Sequence, residues 1–238
     1  SSFAEQSPYF LIKPHLILSK SNGQTITLTI PVTISDGNEG STSTNISIVV
    51  TGTNSNPIVS EVAATAVTED SEVVSGTIQA FDFDSTTITY TATETAGFTI
   101  DSETGAYSFD PTNEAYQSLA EGETSTVTVT VTVADNDGGS TPVDVVFNLT
   151  GTNDAPTVNA ISELSASTEI ISGNVVANDV DNNTTLTYTA GSVAGFTIDS
   201  ETGAYTFDPT NEAYNALANG ETTTVIVPIT ISDGNEGS

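Results

Sequence analysis

Gly97 to Tyr116 reads GFTIDSETGAYSFDPTNEAY, and Gly195 to Tyr214 reads GFTIDSETGAYTFDPTNEAY, differing only at Ser108 against Thr206. Self-similarity at a fixed step means that each copy is one folding unit, so this chain is a repeat array. The step is 98 residues from Phe98 to Phe196 and from Asp135 to Asp233, and 99 from Gly52 to Gly151. That is too long for a helical solenoid repeat and suits a β-sandwich of about 100 residues. The 238 residues hold about 2.4 such steps, cut out of phase. Residues 1–54 read as the back half of a copy and a candidate strand donor, 55–153 as a complete sandwich, and 154–238 as a sandwich lacking its last strand. The third boundary rests on TISDGNEGS, which stands at Thr33–Ser41 and again at Thr230–Ser238; at the first it is followed by the strand-like TNISIVVTGT.

Strict alternation sets the secondary structure. Thr124–Ala134 alternates threonine with valine, which places Val127, Val129, Val131 and Val133 on one face of a half-buried strand. Thr25–Ile34 and Thr223–Ile231 are its equivalents, with Pro31 and Pro228 at the outward position of Thr130, as suits an edge or bulged strand. The next strand, Pro142–Gly151, turns Val143, Val145, Phe147 and Leu149 inward. Further strands are expected near Ile58–Val67, Val73–Ala80, Thr87–Ala92, Phe98–Asp101 and Ala106–Phe109, the last two joined by a turn with Gly105 at positive φ. TNEAYQSLAEGE reads as a short helical turn capped by Thr112 or Asn113, with Tyr116 and Leu119 facing the core. The fold class is therefore all-β: tandem Ig-like or cadherin-like Greek-key sandwiches, arranged in a linear rod.

Charge decides which partners are open to such an array. The chain has 31 acidic residues against two lysines, a formal net charge of −29, and Lys13, His15 and Lys20 are its only basic side chains. Residues 21–238 thus contain no partner for a salt bridge. Nucleic acid and anionic membrane surfaces are repelled at this charge, and no apolar run of about 18 residues is present for membrane insertion. Phe10–Leu18 (FLIKPHLIL) is short, is broken by Lys13, Pro14 and His15, and lacks the small-residue cleavage site of a signal peptide; it reads either as a divergent or foreign version of the segment YTFDPTNEAYNAL or as a stretch not native to the chain. Without cysteine, no disulfide is available, and bound metal is the remaining cross-link.

The acids have a pattern. Asp82 and Asp84 are two apart, so in extended backbone both carboxylates share a side while Phe83 points to the core; the third copy repeats this as Asp179, Val180, Asp181. Like charges so placed call for a cation. An oxygen-only set without His or Cys suits Ca2+, with Mg2+ preferring a smaller and stricter geometry. If successive strands reverse direction, the FDFDS, DSETG and ADNDGGS loops lie at the pole where the chain enters a copy, and TED, TNEAY and the GTND linker at the other. The junction of the second and third copies then gathers Glu69, Asp70, Asn153, Asp154, Asp179, Asp181 and Asp233. The junction of the first and second gathers Asn54, Asn56, Asp82, Asp84, Asp135 and Asp137, a weaker set because Ser55 stands where Asp154 does. Glu69 aligns with Ala166, which removes a ligand from any site beyond the third copy. Asp101, Glu103, Asp199 and Glu201 read as turn residues, and Glu114 and Glu212 as first-turn helix acids that also offer oxygens.

GTNDAP, TED, the DxD pair, GFTIDSETGAYSFDP and ADNDGGS together resemble the VCBS-type, cadherin-like repeats of bacterial RTX adhesins, over Gly23 to Ser238. The resemblance implies a secreted protein of a Gram-negative cell surface, its Ca2+-dependent extender domains projecting an adhesive region for attachment and biofilm. The alternative carried by the phase of the repeats is a filament subunit that polymerises head to tail by donating a strand. Its partners are accordingly neighbouring repeats or copies of the same chain. An enzyme is not expected, since the copies contain no Cys, His or Lys from which to build nucleophilic chemistry.

Overall fold

Alternating Thr/Val/Ile sequence produces the longest strands of the protein. A computed structural model describes residues 22–235; Phe10–Leu18, and the reading given to it, lie outside the described residues. In the first copy Thr25–Ser35 (β1) pairs antiparallel with Ser41–Thr51 (β2), from Thr25 opposite Thr51 to Ser35 opposite Ser41. Pro31 sits opposite Asn45 without a break in register. A two-stranded sheet leaves each strand an outer edge, where a residue lacking an N–H is tolerated.

The complete copy runs β3 (Ile58–Val59), β4 (Thr65–Thr68), β5 (Val74–Thr77), β6 (Ala80–Phe81), β7 (Ile88–Ala92), β8 (Phe98–Ile100), β9 (Ala106–Phe109), β10 (Thr124–Asp135) and β11 (Ser140–Thr150). One sheet has the order β4-β11-β10-β7 and another β5-β9-β8, with β3 paired to β6. The strand β4 runs parallel to the end of β11, Thr65 opposite Phe147 and Thr68 opposite Thr150. This is the order of an Ig-like or cadherin-like sandwich: β5, β9 and β8 form one sheet, and β7, β10 and β11 form the other. Two of the expected strands divide. Ile58–Val67 separates into β3 and β4, which pair with different strands, so the chain changes sheet between them. Val73–Ala80 separates into β5 and β6, which pair with β9 and β3 respectively, after the Ile78 N–H has donated to the Gly105 carbonyl at 2.9 Å.

The third copy runs β12 (Thr157–Val158), β13 (Ile171–Asn174), β14 (Ala177–Asn178), β15 (Thr187–Ala190), β16 (Phe196–Ile198), β17 (Ala204–Phe207) and β18 (Ile229–Ser232). The strand expected over Thr223–Ile231 is reduced to β18, because its only strand partner among the described residues is β15, across four positions. The expected helical turn is a 3-10 turn at Glu212–Tyr214, capped by the Asn211 side chain. In the complete copy the same stretch makes only hydrogen-bonded turns, with Asn113 Oδ1 accepting the Ala115 N–H at 3.1 Å. Asn113, rather than Thr112, is thus the capping residue; the Thr112 hydroxyl donates to Asp110 instead.

The chain forms two compact units. The first takes residues through Ala64, Ser75–Phe109 and Thr128–Val146; the second takes Thr65–Val74, Asp110–Val127 and Phe147 onward. Ile78, Tyr90, Phe109, Val129, Val131, Val133 and Val145 are buried in the first. Each contributes about 1.5–3 kcal/mol through loss of apolar surface to water. Gly105, at φ +69°, sits against this core: a Cβ there would lie 2.8 Å from the Tyr90 ring. In the second unit Val67, Phe147 and Leu149 are buried, and Val175, Tyr188 and Tyr205 form a small core flanked by Phe196, Ile229 and Ile231.

Candidate metal centres

In the first unit the chain leaves β6 and turns at once. Asp82 Oδ1 accepts the N–H groups of Asp84 at 2.8 Å and Ser85 at 2.9 Å, so the segment is a turn and not extended backbone. The alternation expected through this loop therefore fails. Phe83 does not point to the core; it is exposed and packs edge-to-face on the exposed Phe81 at 5.2 Å. The two carboxylates nevertheless turn inward, and Asp84 is 9% exposed. It accepts the Ser55 N–H at 3.2 Å and the Ser55 hydroxyl.

Asp135, at the end of β10, is buried to the same degree. One of its oxygens accepts the N–H groups of Asp137 and Gly139, each at 2.8 Å, and the other accepts Asn54 Nδ2 at 3.0 Å. Gly139 is required here for close approach: a Cβ would collide with Asp135 and lie 2.7 Å from Asn54 Nδ2 and 2.9 Å from Asn56 Oδ1. Asn54, Asn56, Asp84 and Asp135 thus gather through these contacts, and Asp82 joins through Asp84. Asp137 is exposed and enters through its backbone N–H alone.

The second unit repeats the arrangement and adds charge to it. Asn153 Nδ2 donates to Asp233 at 3.0 Å, the Asp154 N–H to Asp181 at 3.0 Å, and the Asp181 N–H to Asp179 at 2.8 Å. Glu69, which follows β4 and is 1% exposed, accepts the Thr152 N–H at 2.6 Å. Asp70 is exposed, has φ 61°, and accepts the Thr152 hydroxyl at 3.1 Å. Glu69, Asp154 and Asp181 each bring a carboxylate oxygen within 4.8 Å of the others, a grouping able to hold a metal ion.

Electrostatics follow from burial without cations. Burial pushes Glu69 above its ordinary value, the Thr152 N–H partly offsets this, and Asp70, Asp154 and Asp181 add repulsion. Burial also raises Asp154 and Asp181, each further raised by neighbouring carboxylates. In the first unit burial raises Asp82, whereas the Ser55 hydroxyl holds Asp84 below the usual range. Burial alone would raise Asp135, but donors led by Asn54 bring it below the usual range.

One feature unites the two centres. Asn54 Oδ1, Asp82 Oδ2, Glu69 Oε2, Asn153 Oδ1, Asp154 Oδ2, Asp179 Oδ2 and Asp181 Oδ1 are buried oxygens with no hydrogen-bond partner. Buried polar atoms are nearly always paired, so unpaired acceptors gathered like those of Glu69, Asp154 and Asp181 fit a cation. The acids read as turn residues behave otherwise. Asp101 Oδ1 accepts the Glu103 and Thr104 N–H groups and the Thr104 hydroxyl within its own turn, and Asp199 does the same. Glu114 and Glu212 are exposed. Sequence reasoning missed Ser55 and Thr152 as donors to the site carboxylates; their signal was position, next to Asn54 and Asn153 in each linker.

No protein-family model matches this chain, nor does any curated protein. Solved structures similar to it include mouse cadherin-23 EC22-24, at 17% identity and TM-score 0.40, covering 83% of this chain and 66% of that one. Protocadherin gamma B7 extracellular cadherin domains 1-4 reach 19% and 0.45, covering 88% and 54%. The human desmocollin-1 ectodomain reaches 14% and 0.40, covering 87% and 41%. This chain spans less than two thirds of the length of each. The assignment of an all-β, cadherin-like sandwich rests on strand order.

Proposed function

We propose that these are Ca2+-rigidified extender repeats of a large bacterial surface adhesin, which project an adhesive region for attachment and biofilm. The observation that carries this reading is the cluster of Glu69, Asp154 and Asp181, three carboxylates facing one another with unpaired buried oxygens. Its residues come from the end of one copy, the linker and the start of the next, so an ion held there ties consecutive copies and removes freedom from the linker. A bound Ca2+ supplies charge neutralisation and six to eight oxygen bonds. An all-oxygen set of carboxylates and carboxamides without His or Cys suits Ca2+, whose coordination at ~2.3–2.6 Å is flexible, better than Mg2+, which demands a stricter octahedron at ~2.0–2.1 Å. Asp179, Asp233, Asp70 and the Asn153 carboxamide complete the second centre; Asn54, Asn56, Asp82, Asp84, Asp135 and Asp137 supply the first. Extracellular modules bind Ca2+ at about 10⁻⁴ to 10⁻³ M, so the sites stay empty in a cytosol and fill outside the cell. A second reading is a filament subunit polymerising head to tail by strand donation; the observation behind it is that residues 222–227, equivalent to the first part of β10, form no strand among the described residues.

The test is Ca2+ titration of the metal-stripped chain, followed by melting temperature and radius of gyration. At ten to a hundred times Kd a single ion stabilises by about 1.4–2.7 kcal/mol, and each kcal/mol raises Tm by about 2–4 °C for a chain of this size. Asp179→Asn combined with Asp181→Asn abolishes most of that rise. Identical titrations of the two chains would overturn the reading.

A further inference from the structure

We infer that Asn182 is the pin of a clasp that holds the third copy to the second without metal and positions Asp181 for its ion. Asn182 directly follows the DxD pair of the second centre. Its backbone N–H donates to the Ser118 carbonyl at 3.0 Å, and its Nδ2 to Glu123 Oε2 at 3.3 Å. Asn182 belongs to the third copy, Ser118 and Glu123 to the second, and all three lie within the second compact unit.

The acceptor side is built independently of Asn182. Glu123 Oε2 also accepts the Ala120 N–H at 3.1 Å, and Glu221 does the same for Ala218 at 2.9 Å in the third copy, so this cap belongs to the turn itself. The turn is also knit to the linker: the Gly151 N–H donates to the Glu123 carbonyl at 2.8 Å, and the Gly122 N–H to the Gly151 carbonyl at 3.1 Å. The donor side is shaped by one inserted residue. Five residues separate Asp84 from Tyr90 and six separate Asp181 from Tyr188. The longer loop turns at Asn183, whose φ of 61° is a left-handed conformation that Asn tolerates better than most side chains. In the shorter loop Ser85 bonds within its own copy, its hydroxyl donating to Asn136 Oδ1 at 2.7 Å.

Together these bonds close a ring. From Gly151 the linker runs to Asp154, whose N–H meets Asp181 at 3.0 Å, and the next residue, Asn182, returns to the turn that holds Gly151. A lone linker lets one copy swivel on another, whereas a second attachment away from it removes that rotation. Both donors of the clasp are uncharged groups, so it needs no cation. It fixes the backbone after Asp181, as the bond from the Asp181 N–H to Asp179 at 2.8 Å fixes the backbone before it. The Asp181 carboxylate is thereby held toward Glu69 and Asp154 before an ion binds. The positioning of Asp181 rests on the calcium reading; the clasp does not.

The chain has no cysteine of its own, so spin labels are placed at Thr124→Cys in the second copy and Glu201→Cys in the third, both exposed. In chelator the parent gives one narrow distribution of label-to-label distance. Asn182→Ala, which removes the carboxamide donor, broadens it about twofold, and Asn183→Gly, which keeps the left-handed turn, leaves it unchanged. In calorimetric Ca2+ titration Asn182→Ala raises the dissociation constant of the second centre about two- to tenfold, the worth of one hydrogen bond, and Asn183→Gly does not. A distribution in chelator as broad for the parent as for Asn182→Ala overturns the clasp. A broadened distribution with an unchanged dissociation constant overturns the positioning of Asp181. A narrow parent distribution, broadened by Asn182→Ala, in a chain that binds no Ca2+ sustains the clasp and overturns the calcium reading instead.

Discussion

The two candidate metal centres share a backbone hydrogen-bond arrangement and differ in charge, above all at the residue that follows the linker Asn. In each, an Asn donates to an aspartate at the end of a strand, Asn54 to Asp135 at the end of β10 and Asn153 to Asp233 just after β18. In each, the next residue gives its N–H to the second aspartate of a DxD pair, Ser55 to Asp84 and Asp154 to Asp181. At Ser55 the side chain is a hydroxyl donor, and Asp84 is held below its ordinary range; at Asp154 it is a carboxylate, and Asp181 is pushed above. The first centre therefore meets part of its own charge with a protein hydrogen bond. The second concentrates charge, with Glu69 added, and leaves more of it to be met by an ion. Affinity for a cation and stability without one are thus set in opposition by the residue after the linker Asn.

Exchanging that residue gives the largest expected effect. Ser55→Asp removes the hydroxyl donor from Asp84 and adds a like charge, so the metal-free first unit loses about 1–3 kcal/mol while its Ca2+ affinity rises by roughly tenfold, about 1.4 kcal/mol. Asp154→Ser does the reverse in the second unit. Calorimetric titration with denaturant melts in chelator checks both directions. Parallel changes in affinity and metal-free stability would break the comparison.

A smaller effect separates the centres by pH. Glu69, Asp154 and Asp181 have folded-state values above the ordinary 4.5, 3.8 and 3.8. Between the ordinary and the raised values the folded chain binds more protons than the unfolded one, so metal-free stability of the second unit rises as pH falls into that window. Asp84 and Asp135 are depressed, so their contribution is present above 3.8 and is lost as pH falls through their folded values; Asp82, raised, opposes them. Glu69→Gln should raise the metal-free melting temperature at neutral pH by about 1 kcal/mol equivalent and flatten the gain on acidification. Melting curves at stepped pH in chelator read this directly. An undiminished gain in the Gln variant would show that Glu69 is not a source of the repulsion.

What was legible in the sequence was periodicity. Thr/Val alternation located β10 and β11 almost to the residue, and the 98-residue step aligned the linkers, the DxD pairs and the closing aspartates before any coordinates. Backbone bending was not legible: Asp82 looks like a strand residue by spacing, yet its carboxylate caps a turn and throws Phe83 outward. Partner-dependent strands were equally hidden. Residues 223–228, equivalent to the first part of β10 but with Ile226 in the place of Thr128, form no strand among the described residues, because a strand needs a neighbour as well as a pattern. Ser55 looked like a lost ligand because carboxylates were being counted, and a hydroxyl that donates to Asp84 is the opposite kind of contribution.

The smallest expected effect guards the distinction between site acids and turn acids. Asp101 and Asp199 lie in the repeated stretch, are fully exposed, and are held below the usual carboxylate range mainly by the Thr104 and Thr202 side chains of their own turns. Oδ1 of each is spent on donors two and three residues away, whereas each candidate centre keeps at least one buried oxygen without a donor. Asp101→Ala with Asp199→Ala should therefore lower the melting temperature slightly, by loosening two hairpin turns, and leave the Ca2+ titration superimposable on that of the parent chain. Asp101→Asn with Asp199→Asn, which keeps the accepting oxygen, should leave both readouts unchanged. Loss of calcium affinity in the Asn pair would mean that formal charge alone, and not the unpaired buried oxygens, selects where the ions sit.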